Sequence, residues 1–273
     1  MIIDGKKLSR ELIKQVAQEV ASLAFRPLLV DVLVGNDPVS ASYVRIKKKA
    51  AERAGVDFLI KHLPAEVSTE QVILTIQELQ KETTLCGLIV QLPLPDSVDV
   101  EPVLSSINPQ VDVDLLNPQS AKNFYGNRSN LIPPTPGAIW EIIKSLDISS
   151  NLKTVVVGYG DLVGKPVVHL LRQKGFEVEV VDSKTNDRQS LFKNAELLIT
   201  GVGKSGIITG EMLTPGVIVI DAGTSETSGS ILGDVDFDST LSIAKFITPV
   251  PGGVGPVTVA KLLQNVLEVA RQR

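Results

Sequence analysis

The sequence predicts an α/β protein of two domains built on parallel sheets. Three observations carry this. Its 273 residues are about twice the usual length of one domain. Short β-branched runs alternate with longer stretches of helical period, the rhythm of a parallel sheet with crossover helices. One Pro-rich stretch, Asn117–Gly137 with Pro118, Pro133, Pro134 and Pro136, interrupts that rhythm near the middle. The domains are placed at residues 1–120 and 121–255. A C-terminal helix, about 256–273, is expected to pack back on the first.

The elements follow in order. Glu11–Leu23 has helical spacing, and Leu28–Val34 reads as a buried strand. Asn36-Asp37-Pro38 opens a helix that closes at Gly55: a capping residue, proline in the first turn and a C′ glycine. Thr69–Gln80 is helical. Leu85–Gln91 is a strand halted by Leu92-Pro93-Leu94-Pro95, whose prolines cannot continue a ladder. Beyond the Pro-rich stretch come a helix at Ala138–Leu146, a strand at Thr154–Val157 and a helix at Gly164–Gln173. Strands at Glu177–Val181, Glu196–Thr200 and Val217–Ile220 follow, and Thr258–Arg273 closes the chain with helical spacing.

Composition narrows the function. With 43% hydrophobic and 21% charged residues the chain reads as an ordinary globular protein, not a disordered or fibrous one. Lys+Arg number 27 against 31 Asp+Glu, a net charge of −4, which disfavours nucleic acid as a partner. The single cysteine, Cys86, has no second thiol for an internal disulfide and fits a reducing compartment. Two histidines, His62 and His169, are too few for a His-rich metal site, and no metal is expected. The opening MIIDGKKLSR lacks a signal-peptide core, and no apolar run nears the roughly 18 residues of a membrane span. A cytoplasmic protein with a small-molecule ligand and no membrane partner is the expectation.

In the second half, Thr154–Val157 runs into Gly158-Tyr159-Gly160-Asp161-Leu162-Val163-Gly164 and then a helix. Glycines here let backbone approach a pyrophosphate, and the helix N-terminus supplies amides and partial positive charge. Asp182 ends the next strand, near the offset of about 20 residues expected of a carboxylate that binds a ribose hydroxyl. This context, more than the glycine spacing, points to a dinucleotide site in a Rossmann-like domain. Gly203-Lys204-Ser205 only imitates a P-loop, because the first glycine of that motif would fall at Leu198.

In the first half one lysine stands out. At about 100° per residue, Val39, Tyr43, Ile46, Ala50 and Ala54 share an arc of the helix, which Val44 and Ala51 extend. Lys47 falls inside this arc, next to Tyr43; Arg45, Lys48, Lys49 and Glu52 fall opposite. Lys47 is therefore a candidate buried amine, or else a stem that snorkels to solvent. A buried amine can serve as a general base or proton shuttle. Gln91, at its strand end, either contacts that amine or bonds to backbone. Asp112-Val113-Asp114 binds a polar ligand edge or forms an ordinary turn. The run Pro249–Pro256 is either a rigid loop against a flat ligand or a hinge.

These residues resemble a known family, the bifunctional methylenetetrahydrofolate dehydrogenase/methenyltetrahydrofolate cyclohydrolases. The likeness runs nearly end to end, from Ile3-Asp4-Gly5-Lys6 onward. It is most specific at Tyr43-x-x-x-Lys47, Val90-Gln91-Leu92-Pro93-Leu94-Pro95, Asp112-Val113-Asp114, Val163-Gly164-Lys165-Pro166, Gly233-Asp234-Val235 and Ile247–Pro256. The resemblance implies a homodimer of an N-terminal folate-binding catalytic domain and a Rossmann-like NAD(P) domain, with chemistry in the gap between them. It implies tetrahydrofolate derivatives as substrates, near Tyr43, Lys47, Val90, Gln91, Leu92, Asp114 and the loop Pro251, Gly252, Gly253, Val254, Gly255 and Pro256. Lys47 would assist proton transfer, Gln91 would hold it, Tyr43 would flank the folate and Asp114 would accept hydrogen bonds from the pterin. NADP would lie at Gly158, Tyr159, Gly160 and Gly164, with contacts near Asp182, Ser183 and Thr224.

The sequence departs from the family pattern at the cofactor. Gly158-Tyr159-Gly160 replaces the usual Gly-Arg-Ser, and Asp182-Ser183 replaces His-Ser. A cation suited to a 2′-phosphate is lost and a carboxylate is gained, so weakened NADP selectivity and use of NAD are expected, with Lys184 and Arg188 as compensating cations. Leu115, Pro134 and Ala222-Gly223-Thr224-Ser225 also differ from the pattern. Two other readings remain open here: a cyclohydrolase with a degenerate cofactor site, and a non-catalytic folate- or nucleotide-binding protein.

Overall fold

A computed structural model describes residues 1–227 and 230–273. It divides into two compact units, residues 10–134 with 259–273, and residues 1–9 with 135–258. The expected division at 120/121 falls inside a helix; the change of unit comes at 134/135, where Pro134 opens the next helix. Residues 1–9 lie with the later unit because Ile3 N–H donates to Ile247 O at 2.8 Å and Ile247 N–H donates to Met1 O at 3.1 Å.

In chain order the first stretch contains α1 (Gly5–Val20), β1 (Leu28–Val34), α2 (Pro38–Ala54), β2 (Asp57–Leu63), α3 (Thr69–Leu79), β3 (Leu85–Val90), α4 (Val100–Ser105) and α5 (Pro118–Tyr125). The second contains α6 (Pro134–Ser145), β4 (Thr154–Val157), α7 (Gly164–Gln173), β5 (Val178–Val181), α8 (Arg188–Asn194), β6 (Leu197–Thr200) and β7 (Ile218–Asp221). After these come β8 (Ser225–Thr227), β9 (Ser230–Leu232), α9 (Phe237–Leu241), β10 (Phe246–Ile247) and α10 (Val254–Arg271). Three helices start earlier than expected, α1, α6 and α10. Asp4 Oδ1 accepts from Lys7 N–H at 2.9 Å and so caps α1 ahead of the apolar pattern. The glycine-rich loop runs directly into α10. Strand β2 was not anticipated: it is an edge strand whose Asp57, Lys61 and His62 break up the apolar signal.

The first unit's sheet is parallel, in the order β2-β1-β3. Val30, Val32 and Val34 of β1, with Leu88 and Val90 of β3, pack on Val72 and Ile76 of α3 and Val103 of α4. The two-residue period turns Leu29, Asp31 and Leu33 to the opposite face. Register pairs Leu29 with Gly87 and Asp31 with Ile89, so the next residue on that face of β3 is Gln91. Strand pairing thus sets Gln91 beside Asp31, and α2 brings the lysine. Near Gly87 the same face is covered by Val266 of α10, while the Asn265 amide donates to Val113 O and Ile132 O, each at 2.8 Å.

The second unit's sheet is also parallel, in the order β10-β7-β6-β4-β5. From β4 the chain adds β5 on one side and β6, β7 and β10 on the other. The carboxyl ends at such a reversal form the crevice where open α/β sheets bind ligands.

Candidate active site

Helix α2 is set by its ends. The Asp37 carboxylate accepts from Ser40 N–H at 2.7 Å, Pro38 occupies the first turn, and Gly55 closes the helix at φ 74°. Its buried face is Ser40, Val44, Lys47, Ala50, Ala51 and Ala54. Ile46, expected on the apolar arc, is 49% exposed. The face has turned so that Lys47 lies at its centre, and the cause is the pair of acceptors beneath it. Lys47 Nζ is 2.6 Å from Asp31 Oδ2 and donates to Gln91 Oε1 at 2.9 Å. The other end of the Gln91 amide donates to Leu92 O at 2.6 Å, which fixes its orientation.

Lys47 is therefore the buried amine, and Gln91 is its partner. Tyr43 lies one turn earlier on α2 and is half-buried; Val90 is buried and Leu92 half-buried. The aspartates of Asp112-Val113-Asp114 separate in role. Asp112 is buried and accepts from Asn117 N–H at 2.9 Å and Leu116 N–H at 3.3 Å, holding a turn, with its carboxyl raised by burial. The Asp114 carboxyl is pushed up to about 6 by desolvation, against the pull of Lys47 and with a smaller push from Asp112 and Asp31. Asp31 itself is fully buried, and burial raises its carboxyl against the attraction of Lys47. The sequence reading missed Asp31. Its only signal was a lone carboxylate in an otherwise apolar strand.

The loop Pro251–Pro256 belongs to the other unit. Gly253 N–H donates to Pro249 O at 2.8 Å, Gly252 has φ 115°, and the Ser9 hydroxyl donates to Pro256 O at 2.7 Å, so one backbone and one side-chain hydrogen bond pin the loop.

In that same unit β4 delivers Gly158 at φ 90°, its N–H on Val181 O at 2.8 Å. A Cβ on Gly164 would meet Gly158 O at 2.1 Å, so only glycine lets α7 start this close to the turn. The turn borders a cavity of about 1050 Å³ whose walls include Tyr159, Asp182, Ser183, Arg188, Phe192 and Lys204. Gly158 also lines it; Gly160, Gly164 and Thr224 are not among the wall residues. Asp182 Oδ1 accepts from Lys184 N–H at 2.8 Å and Thr185 Oγ1 at 3.1 Å, and the first of these bonds holds its carboxyl below the ordinary range. Arg188 donates to Thr185 O at 3.1 Å and Ser183 O at 2.8 Å, bracing the loop after β5. Opposite, the buried Asp234 carboxylate accepts from Thr200 Oγ1 and from the amides of Val202, Gly203 and Lys204, at 2.6 to 2.9 Å. The sequence that imitates a P-loop is thus a loop folded around an aspartate. Gly233-Asp234-Val235 carried the resemblance, yet Asp234's part in holding this wall was not foreseen.

Residues 3–114 match the family model described as tetrahydrofolate dehydrogenase/cyclohydrolase, catalytic domain, and residues 133–273 match its NAD(P)-binding domain. The bifunctional protein FolD of Staphylococcus aureus is 39% identical over 277 aligned residues, covering 100% of this chain and 97% of that protein. The crystal structure of the bifunctional enzyme FolD from Campylobacter jejuni superposes with a TM-score of 0.95 at 33% identity, covering 100% of this chain and 99% of that one. The Trypanosoma brucei methylenetetrahydrofolate dehydrogenase-cyclohydrolase, solved with NADP and an inhibitor, gives a TM-score of 0.93 at 34% identity, covering 100% and 97%.

Proposed function

The chain belongs to the tetrahydrofolate dehydrogenase/cyclohydrolase family, and from that premise we propose how its residues divide the two reactions. It oxidises 5,10-methylenetetrahydrofolate to the 5,10-methenyl cation with NAD(P)+ and hydrolyses that cation to 10-formyltetrahydrofolate. The unit of residues 10–134 and 259–273 carries the folate chemistry, and the unit of residues 1–9 and 135–258 holds the dinucleotide. The observation that carries this reading is the buried Lys47 amine bonded to Gln91 and paired with Asp31.

The close-packed turn at Gly158 and Gly164 and the adjoining cavity fit a dinucleotide, with the amides at the start of α7 facing its pyrophosphate. Bound there, NAD(P)+ supplies the hydride acceptor. In hydrolysis, water adds to the bridging carbon and releases a proton; the carbon–N5 bond then breaks, with a proton going to N5 and the hydroxyl proton leaving to solvent as the formyl C=O forms. Lys47 assists the proton movements, Gln91 positions it, Tyr43 flanks the folate, and ionised Asp114 accepts hydrogen bonds from the pterin. Val90 and Leu92, beside Gln91, border the substrate.

NADP selectivity is weakened, and NAD serves. Support comes from Asp182, an ionised carboxylate on the cavity wall that accepts a ribose hydroxyl and repels a 2′-phosphate, and from Arg188, whose Nε and Nη2 donate to the backbone carbonyls of its own loop. Tyr159 adds no cation. The working form is a homodimer in the cytoplasm; among the described residues no helix is long and apolar enough to cross a membrane.

One set of assays tests this. Methylenetetrahydrofolate is supplied with NAD and then NADP while methenyl formation is followed, and methenyltetrahydrofolate alone is supplied while its loss is followed. Both activities are expected, with NAD efficiency within about tenfold of NADP or above it, a gap of at most about 1.4 kcal/mol in transition-state free energy. Absent oxidation would leave only a cyclohydrolase; strong NADP preference would sink the role given to Asp182.

A further inference from the structure

The apolar strand β1 carries one charged residue, and the reactions as described do not use it. Asp31 is fully buried, on the centre strand of its sheet, with Leu29 and Leu33 on the same face. Its Oδ2 lies 2.6 Å from Lys47 Nζ as an ion pair, and neither carboxylate oxygen has a further hydrogen-bond partner among the described residues. Stability alone does not account for this arrangement. A buried ion pair so poorly supplied with hydrogen bonds is generally no more stabilising than apolar side chains of the same volume. Buried, partly satisfied charges concentrate where chemistry needs them.

The geometry points to Asp31 as a positioning residue that aims Lys47 and makes its protonated form accessible in a buried site. This rests on the proton-transfer role proposed for Lys47. A neutral amine has two N–H donors and one lone pair. One donor goes to Gln91 Oε1 at 2.9 Å, and the Asp31 carboxylate lies 2.6 Å from the nitrogen. With Gln91 and Asp31 on those sides of the nitrogen, the lone pair takes a remaining direction and is available to the proton of the attacking water. When that proton arrives the amine becomes an ammonium, and the Asp31 carboxylate is its counter-charge. The proton is then passed to N5 as the carbon–N5 bond breaks, the hydroxyl proton of the intermediate leaves to solvent as the formyl C=O forms, and the amine is restored. Water, substrate and lysine supply every atom; Asp31 forms no bond and changes only the cost of the ammonium.

Other titratable groups around the pair come from each packed element. The segment after β3 brings Asp114, which feels the charges of Lys47 and Asp31, and Asp112, which acts on Asp114. The neighbouring strand β2 turns His62 to the same face, its Nε2 2.8 Å from Gly35 O, and α2 itself carries Tyr43. Helix α10 presents the uncharged Asn265 and Val266. Asp31 is the carboxylate in direct contact with the amine, so its removal favours the neutral amine over the ammonium.

The test is Asp31→Asn in the full-length enzyme, with hydrolysis of methenyltetrahydrofolate measured across pH and corrected for the spontaneous reaction. We expect kcat to fall at least 30-fold, KM to stay within threefold, and the midpoint of the kcat–pH profile to move at least one unit toward acid. Asp31→Glu, which keeps the charge, should return the midpoint to the wild-type value even where kcat stays low. An Asp31→Asn enzyme with native circular dichroism and an unmoved midpoint overturns the proposal, because a merely structural residue lowers kcat without moving the profile. If Asp31→Asn does not fold, Asp31→Glu decides: a midpoint displaced by more than half a unit contradicts a role set by charge. Failure of the underlying reading looks different, since wild-type hydrolysis would then be absent or would survive Lys47→Met.

Discussion

Two lysine–carboxylate pairs in this protein have the same 2.6 Å separation and opposite surroundings. Lys47–Asp31 lies in the first unit with side chains 11% and 0% exposed; Lys165–Asp161 lies at the start of α7 with 42% and 85% exposed. The second pair is an i,i+4 contact in water, screened by salt and paid back in side-chain entropy. The first is desolvated, so breaking it leaves a charge with no solvent to accept it. Distance does not separate the two; burial does. A similar contrast separates Asp31 from Asp182, the one buried in a strand, the other in the exposed loop after β5.

Lys47→Met should have the largest effect on this contrast. Besides removing the amine, it leaves Asp31 buried and unpaired, and urea unfolding at pH 8 should show a loss of about 3–5 kcal/mol. Because Asp31 has a raised carboxyl, it can take up a proton instead, so the loss should shrink by pH 5. Adding Asp31→Asn to Lys47→Met should recover much of it at pH 8. If both single and double variants are equally unstable, the buried pair is not the source of the cost.

Asp114 sharpens the comparison at intermediate size. Its folded value of about 6 lies above the ordinary carboxylate value, so the fold favours its protonated form. The stability this contributes is complete below the unfolded value near 3.9 and disappears as pH rises through about 6. A permanently neutral Asp114→Asn should therefore be more stable than wild type at pH 8 by about 3 kcal/mol, with the gain gone by pH 3.5. If Asp114 binds the pterin as proposed, the same substitution should raise KM for folate. In the wild type, KM should rise as pH falls through about 6. A stability gain that is equal at both pH values would contradict the desolvation argument.

Lys165→Ala should have the smallest effect: a change in Tm of no more than about 1 °C, measured by calorimetry. A large drop would mean that the exposed pair matters as much as the buried one.

Much of the amine site was legible in the sequence because periodicity reports on faces. The helical wheel placed Lys47 among apolar residues, and the proline run after Gln91 marked a strand end. The precise face was not legible. Ile46 lost its place to Lys47 because the acceptors on β1 and β3 come from tertiary register, which no single segment encodes. Asp31 was hidden for the same reason: in Leu28–Val34 one acid among β-branched neighbours leaves the strand signal intact. At the cofactor wall the glycine turn and Asp182 were readable from local spacing. The loop brace of Arg188 and the Asp234 nest were not, since both depend on loops meeting across the sheet edge.

The central claim is that the buried Lys47 amine carries the hydrolytic proton. Its most direct test is the enzyme-catalysed loss of methenyltetrahydrofolate, followed spectroscopically without dinucleotide, in wild type and in folded Lys47→Met. The account predicts rapid loss in the wild type and a rate at least about 10³-fold lower in the variant, equivalent to roughly 4 kcal/mol of transition-state free energy. Hydrolysis at the wild-type rate in Lys47→Met would contradict it.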